Sequence, residues 1–280
     1  MGTLYLVATP IGNLEDISPR ALRILSEASL IAAEDTRVTR KLLAHFDIHT
    51  PLTSYYEHNK LSKLKVFLDA LACGDVALVS DAGTPALNDP GYELVRTALE
   101  AGYNISPVPG PSAPVAALTA SGLPTDAFLY LGYLPRKISE RRTLINQVSN
   151  LTYTLIFLEA PHRLLDSLTD LQTILGERPI AIARELTKLY EQIWRGTLNE
   201  ACEYFTRHEP RGEFTLVIGG KEPAPRAVAR WSEEHMMSML LAGPEALESP
   251  TKLAARLASE SGWSRREVYK LAALVKARIS

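Results

Sequence analysis

With 280 residues, 46% of them hydrophobic and 22% charged, the chain has the composition of an ordinary soluble protein and can bury more than one core. A net charge of −2 provides no global attraction for nucleic acid, so any polyanionic partner must be met by a local basic patch. Cys73 and Cys202 form no CxxC pair, and no apolar run reaches the roughly 18 residues of a membrane span. The chain enters a strand-like run at Leu4 with no basic leader before it, so a cytoplasmic protein with reduced thiols and no membrane contact is expected.

Thr3–Thr9 is an apolar, β-prone run that ends in the turn Thr9-Pro10-Ile11-Gly12-Asn13. Ser18-Pro19 has the form of an N-cap followed by a first-turn proline, and Ala21, Leu22, Leu25 and Ala28 recur at helical spacing. A second strand, Leu30–Ala33, runs into Glu34-Asp35-Thr36-Arg37. These ionisable groups read either as an acidic helix start with a solvated arginine or as the edge of a site. Leu61–Leu71 reads as a helix and Val76–Val79 as a buried strand, followed by the small-residue turn Ser80-Asp81-Ala82-Gly83-Thr84-Pro85. Gly83 allows a close ligand approach, and Asp81 can accept hydrogen bonds from a hydroxyl, amide or ammonium group. A plain β-turn with a capping aspartate is the alternative. Pro90-Gly91 precedes a helix over Tyr92–Ala101, closed by Gly102, and the strand Ile105–Val108 ends in Pro109-Gly110-Pro111-Ser112-Ala113. Alternation of this kind implies parallel βαβ units with helices on both sheet faces. Side by side on one sheet edge, the turns after Thr9, Ala33, Val79 and Val108 would form a cleft.

A second α/β segment follows, with strands at Phe128–Leu131, Leu155–Leu158, Pro179–Ala183, Tyr190–Arg195 and Glu213–Ile218. Ser139–Val148 and His162–Leu175 read as its helices, and the shorter connections predict a mixed sheet. Glu222-Pro223-Ala224-Pro225 reads as a linker. The expected division is residues 1–117, a parallel α/β domain; 118–222, a second α/β domain; 223–248, linker and helix; and 249–280, a basic helical tail. In that tail Leu253, Ala254, Leu257 and Ala258 share one helix face, and Val268, Leu271, Ala272 and Val275 another. Ser264 and Glu267 have capping-box spacing. Seven basic residues (Lys252, Arg256, Arg265, Arg266, Lys270, Lys276 and Arg278) against Glu260 and Glu267 leave residues 251–280 at +5 and the remainder at −7. This asymmetry points to a polyanionic partner, with a solvated helical pair as the alternative.

The sequence has no GxGxxG, P-loop, GxSxG or HExxH motif, and its six histidines have no metal-ligand spacing. No metal is expected. His162, at a strand-to-helix turn, reads as a cap or hydrogen-bond anchor.

The turns together form a familiar set. Leu4-Tyr5-Leu6-Val7-Ala8-Thr9-Pro10-Ile11-Gly12-Asn13-Leu14 resembles the first strand of the tetrapyrrole-methylase superfamily. Ala32-Ala33-Glu34-Asp35-Thr36-Arg37, Val79-Ser80-Asp81-Ala82-Gly83-Thr84-Pro85, Pro109-Gly110-Pro111-Ser112 and Ala183-Arg184-Glu185-Leu186-Thr187-Lys188 resemble signatures of the ribosomal RNA small-subunit methyltransferase I family within it. The first turn departs from the GAGPG-like form common among tetrapyrrole methylases, so the first cofactor loop should differ in detail. The resemblance implies two α/β domains, a cofactor cleft between them that holds S-adenosylmethionine, a helical C-terminal appendage, and usually a homodimer. It also implies methyl transfer to the ribose 2′-hydroxyl of a cytidine in the decoding region of 16S rRNA, with the assembled 30S subunit as the expected substrate and free rRNA as the alternative. By likeness, Pro10, Asp81, Ala82, Gly83, Thr84, Ser112 and Ala183 hold the cofactor. Glu185, Asp35 and Glu34 are base candidates, Arg184 a charge-stabilising one, and Arg37 and Lys188 stabilise charge or bind phosphate. Structural ion pairs among these residues are the competing account. Lys252, Arg256, Arg265 and Arg266 would contact phosphates. A methylase for a small tetrapyrrole and a non-catalytic RNA-binding protein with a vestigial cleft are the two rival expectations.

Overall fold

The computed structural model describes residues 2–222, 230–242 and 250–279, without the side chains of 250, 251 and 273–279. The expected linker at Pro223-Ala224-Pro225 and the side chains of Val275, Lys276 and Arg278 lie outside the described residues. The chain divides after Lys221 into two compact units.

The first unit holds two five-stranded sheets. In the first sheet β1 (Thr3–Val7), β2 (Leu30–Ala33), β3 (Leu52–Ser54), β4 (Val76–Val79) and β5 (Asn104–Val108) are all parallel, in the order β3-β2-β4-β1-β5. β2 and β4 lie inside the sheet and are buried along nearly their whole length, which is why they read as continuous apolar runs. α1 (Pro19–Glu27) starts at the expected Ser18 cap, whose hydroxyl accepts from the Ala21 amide at 3.1 Å. With α2 (Thr36–His45) it covers one face through Ile24, Leu25 and Leu43. α3 (Lys60–Cys73) and α4 (Tyr92–Glu100) cover the other through Phe67, Leu71 and Leu94. Because β2, β4, β1 and β5 are parallel neighbours, the turns that follow them leave the same sheet edge. The expected cleft wall follows from that order.

α5 (Ala113–Ser121) leads into the second sheet, built from β6 (Phe128–Tyr133), β7 (Thr154–Glu159), β8 (Pro179–Arg184), β9 (Gln192–Thr197) and β10 (Phe214–Ile218). Its order is β6-β7-β10-β8-β9, with β6 and β7 parallel and the remaining pairs antiparallel, the mixed sheet expected from the short connections. α6 (Ile138–Val148), α7 (Leu164–Leu175) and α8 (Leu198–Arg207) bury Ile145, Leu168, Leu171 and Phe205 on one face. α5 covers the other, with Ala117 and Leu118 against Ile156, Ala181, Ala183 and Val217. The expected boundary between residues 117 and 118 therefore falls inside a helix that packs on the second sheet.

The second unit contains α9 (Glu233–Leu241), α10 (Pro250–Ser261) and α11 (Arg265–Ile279). Met236, Leu253, Ala254, Leu257, Val268 and Leu271 form its core. The Ser264–Glu267 capping box is present: the Ser264 hydroxyl accepts from the Glu267 amide at 3.3 Å, and Glu267 Oε2 accepts from the Ser264 amide at 2.8 Å. Those bonds, with the Ser264 hydroxyl and Arg230, hold the Glu267 carboxyl down to about 2. Among the described residues, no helix is long and apolar enough to cross a membrane.

Candidate functional site

The strand-end turns of the first sheet are tied together by backbone contacts. Thr9 N–H donates to the Gly83 carbonyl and Gly83 N–H to the Thr9 carbonyl, each at 2.9 Å. The Thr9 hydroxyl donates to Ser80 O at 3.2 Å, and the Thr84 hydroxyl to Pro111 O at 3.2 Å. Gly83 sits at φ +81°, where a side chain would be strained. The turns after β1, β4 and β5 thus form one backbone-rich cradle.

A cavity of about 260 Å³ lies between this cradle and the second sheet. Asp81, Ala82, Gly83, Thr84 and Ser112 line one side, with Tyr130, Tyr133, Phe214 and Thr215 opposite. Tyr130 and Tyr133 are three residues apart and would face opposite sides of a regular strand. The register of β6 against β7 shifts between them, and Gly132 adopts φ +67°, so both line the cavity. Asn88, also left-handed at φ +67°, packs against Gly132 so closely that a Cβ there would lie 2.1 Å from its amide nitrogen. That contact brings the loop carrying Leu87, Asn88 and Asp89 across to β6, and all three residues line the cavity. The sequence reading missed this loop and the two tyrosines. The Asn88-Asp89-Pro90-Gly91 turn was the one visible sign of it.

The cavity gathers carboxylates. Burial pushes the Glu34 carboxyl upward, with further upward pressure from Asp89, Asp81 and Asp35. Asp89 is raised by burial and by Asp81, and Asp81 by burial and by Asp35. The Asp81 amide donates to Glu34 Oε2 at 3.3 Å, and Asp81 Oδ1 accepts from the Asp35 amide at 2.9 Å. Burial, together with Asp89, raises the Tyr130 phenol to about 12.

Other expected site residues are placed elsewhere. Asp35 is the N-cap of α2, accepting from the Arg37 amide at 2.8 Å, and its carboxylate also grips the Arg37 guanidinium at 2.6 Å. Arg37 holds the Asp35 carboxyl down to about 2. Asp35 is thus the acidic helix start, with the exposed Arg37 paired to it, while Glu34 lines the cavity. Pro10 lines an adjoining pocket that shares Asp81 and Ala82 with the cavity. Ala183 and Lys188 line a small recess that shares Ile11, Ala113, Glu213 and Thr215 with it.

Glu185 and Arg184 lie in a separate recess with Tyr190, Arg211 and Gly212. Glu185 Oε1 accepts from the Glu213 amide at 3.0 Å and from Lys188 Nζ at 3.1 Å. Burial raises the Glu185 carboxyl, but the Glu213 amide, Lys188 and Arg184 outweigh it and the net direction is down. Arg184 Nε donates to Arg211 O at 2.7 Å. Glu185 and Thr187 are left-handed, at φ +50° and +63°, and shape a turn that meets the first loop. Asn13 N–H donates to the Thr187 hydroxyl at 3.0 Å, and a Cβ on Gly12 would lie 2.4 Å from Lys188 Cγ. This contact closes one side of the cleft. His162 is exposed in a short 3-10 turn. In the second unit Lys252, Arg265 and Arg266 are exposed, and Arg256 lies 3.6 Å from Glu260.

The model of the family described as Tetrapyrrole (Corrin/Porphyrin) Methylases matches residues 3–202. A protein of Synechocystis sp. named ribosomal RNA small subunit methyltransferase I is 49% identical over 273 residues, 97% of each chain. Its namesake from Pseudomonas aeruginosa is 47% identical over 92% of each chain. Among solved structures, the methyltransferase CobJ matches with a TM-score of 0.58 at 18% identity, covering 83% of this chain and 97% of its own. The uroporphyrin-III C-methyltransferase of Thermus thermophilus, complexed with S-adenosylhomocysteine, matches with a TM-score of 0.55 at 22% identity, covering 78% and 97%. These structures share the paired-sheet fold, and the sequence relatives share nearly the full length. The chain belongs to the tetrapyrrole methylases and, within them, to the ribosomal RNA small subunit methyltransferase I family.

Proposed function

We propose that this protein is an S-adenosylmethionine-dependent methyltransferase of 16S small-subunit rRNA. The product is a cytidine 2′-O-methyl group in the decoding region, the substrate is the assembled 30S subunit, and the enzyme is a cytoplasmic homodimer. The carrying observation is the cavity itself, where a backbone cradle closed by Gly83 faces Glu34, Asp81 and Asp89. The relatives' names, over nearly their whole length, support RNA as the acceptor in preference to a tetrapyrrole.

The residues present suit that cofactor. It carries an ammonium, a carboxylate and a sulfonium, and the cavity offers carboxylate acceptors, exposed backbone groups and small side chains at Ala82, Gly83 and Ala113. Backbone groups of Asp81–Thr84 and Ser112 would hold it, with Ala183 contributing from the second sheet. When bound, it supplies an electrophilic methyl group. The chain's own contribution is chiefly to fix the ribose hydroxyl against that group, a term of up to roughly 7–11 kcal/mol in favourable cases. Glu34 is the base candidate for the hydroxyl proton that lines the cavity, and burial raises its carboxyl above the ordinary range. Asp35 and Glu185 are held down by their partners and act by shaping the α2 start and the cleft-closing turn. Arg184 supports that turn through Arg211, and Lys188, Arg37 and the basic tail are assigned to phosphate contacts.

The raised carboxyls give this reading a pH signature. Between the ordinary carboxylate range and their raised values, the native apo protein binds more protons than the unfolded chain. Their contribution to stability therefore falls as pH rises through that window. A cationic ligand favours the ionised forms, so its affinity should rise with pH across the same window and binding should release protons. Calorimetric titration of S-adenosylmethionine in buffers of different ionisation enthalpy, from about pH 4 to about pH 7, reads both. Glu34→Gln is expected to flatten the affinity profile, and an unchanged profile would remove Glu34 from the binding charge.

The function itself is tested by transfer of labelled methyl from S-adenosylmethionine to 30S subunits and naked rRNA from a strain lacking the protein, followed by nuclease mapping. One 2′-O-methylated cytidine is expected. Absence of transfer to either RNA, with cofactor binding intact, would reject the RNA acceptor and favour a small molecule.

A further inference from the structure

Beside the cofactor cavity lies a second one, of about 310 Å³, which shares Ile11, Asp81 and Ala82 with it. Its remaining walls are mainly apolar, with Pro10 and Leu14 from the first loop and Val38 and Leu42 from α2. Leu14 is 37% and Val38 40% exposed, so these aliphatics stand open to solvent. Lys41 is the cation on its lining. α2 also carries Arg37, Arg40 and His45, with no carboxylate from Thr36 to His45, in a part of the chain that is otherwise net negative. Among the described residues Arg40 and Lys41 enter no ion pair, whereas Arg37 is held by Asp35. Asp81 Oδ1 is taken by the Asp35 amide, which leaves Oδ2 for a ligand.

We infer that this second cavity receives the base of the nucleotide being methylated, extruded from its stack, while Arg40 and Lys41 hold the flanking phosphates. The inference rests on the RNA reading above. Extruding the nucleotide from its stack presents one ribose hydroxyl to a cleft between two sheets, and an extruded base needs an apolar receptor next to the reacting site. Apolar walls accept the faces of the base and cations outside it track the backbone, the usual division of labour at single-stranded sites. The free oxygen of Asp81 accepts from an exocyclic amino group and repels a carbonyl. It therefore selects an amino-bearing pyrimidine over uracil.

Three variants and the wild-type enzyme test this. Val38→Trp fills the cavity from the α2 side, Leu14→Trp fills it independently from the first loop, and Arg40→Glu with Lys41→Glu reverses the rim. Wild-type transfer to 30S subunits is measured first, and its absence would fail the parent reading before the cavity is at issue. With an active wild type, each tryptophan variant should retain cofactor affinity by calorimetry and lose about 100-fold in kcat/KM for the RNA. The charge-reversed variant should raise the RNA KM about tenfold, flatten its salt dependence and keep kcat. Wild-type kinetics in both tryptophan variants would overturn the proposal. So would loss of cofactor affinity, which would assign the space to the cofactor, or a shift to smaller oligomers with transfer retained, which would assign it to contact between copies.

Discussion

Replacing Gly83 with valine is expected to weaken S-adenosylmethionine binding by about 100-fold or more, equivalent to roughly 3 kcal/mol. Three observations combine at this position. Its φ of +81° lies where an L-residue costs about 1–2 kcal/mol and a β-branched one more. Its amide and carbonyl are both bonded to Thr9 at 2.9 Å, so the peptide cannot relax without breaking the tie between the β1 and β4 turns. It also lines the cavity. A bare Cβ would lie 3.4 Å from Ile11 Cγ2 and 3.7 Å from Pro111 O, which is ordinary contact. Gly83→Ala should therefore pay mainly the conformational cost, about 1–2 kcal/mol of stability, and keep measurable binding. Valine adds two methyl groups to a residue already out of its allowed region. Calorimetric titration of both variants, with circular dichroism to match the folded fraction, separates the contributions. Wild-type affinity in the valine variant would show that this turn does not cradle the cofactor.

The cradle was legible in the sequence because each part is local. β1 and β4 are short apolar runs, and they and β5 end in residues too small or too polar to continue a strand. Parallel alternation then sends these turns to one edge. The opposite wall was not legible. Tyr130 and Tyr133 share a side only through the shift at Gly132, and a period-two pattern assigns them to different faces. Asp89 reaches the cavity from a loop in which Ala86 and Asn88 adopt left-handed backbone without being glycine, Ala86 packed against Gly91 and Asn88 against Gly132.

Helices were missed for a similar reason. α5 is made of small and apolar residues all round, Ala113–Ser121, and shows no polar face to mark its period. No element is expected there from the sequence, and the expected boundary falls inside the helix. Glu185 shows the limit from the other side. Its signature stretch was legible, but its bond from the Glu213 amide joins residues 28 apart in the chain. Only the fold reveals that this carboxylate is engaged while Glu34 faces the cavity.

The other large effect is expected at Asp170, and it should act on stability alone. Asp170 is 3% exposed on α7 and holds two arginines of α6. Oδ2 accepts from Arg141 Nε at 2.7 Å and from its Nη2 at 2.6 Å, and Oδ1 accepts from Arg142 Nε at 2.7 Å. Arg141 is itself buried, whereas the Arg142 side chain is 58% exposed. Asp170→Ala strands a guanidinium in the interior and should cost about 3–5 kcal/mol, read as a lower denaturation midpoint for the first unit. Arg142→Ala removes a solvated partner and should cost at most about 1 kcal/mol. Replacing Arg141 by methionine and Asp170 by leucine together removes both buried charges, so most of the single-variant loss should be recovered. α6 and α7 cover the face of the second sheet opposite α5, whereas Ala113 and Pro114 of α5 line the cavity. Below its unfolding temperature Asp170→Ala should therefore bind S-adenosylmethionine like the wild type. A parallel loss of affinity would mean that the second sheet transmits strain through its layer to Tyr130, Tyr133 and Phe214, making the cavity wall a property of the whole half and not of the residues that line it.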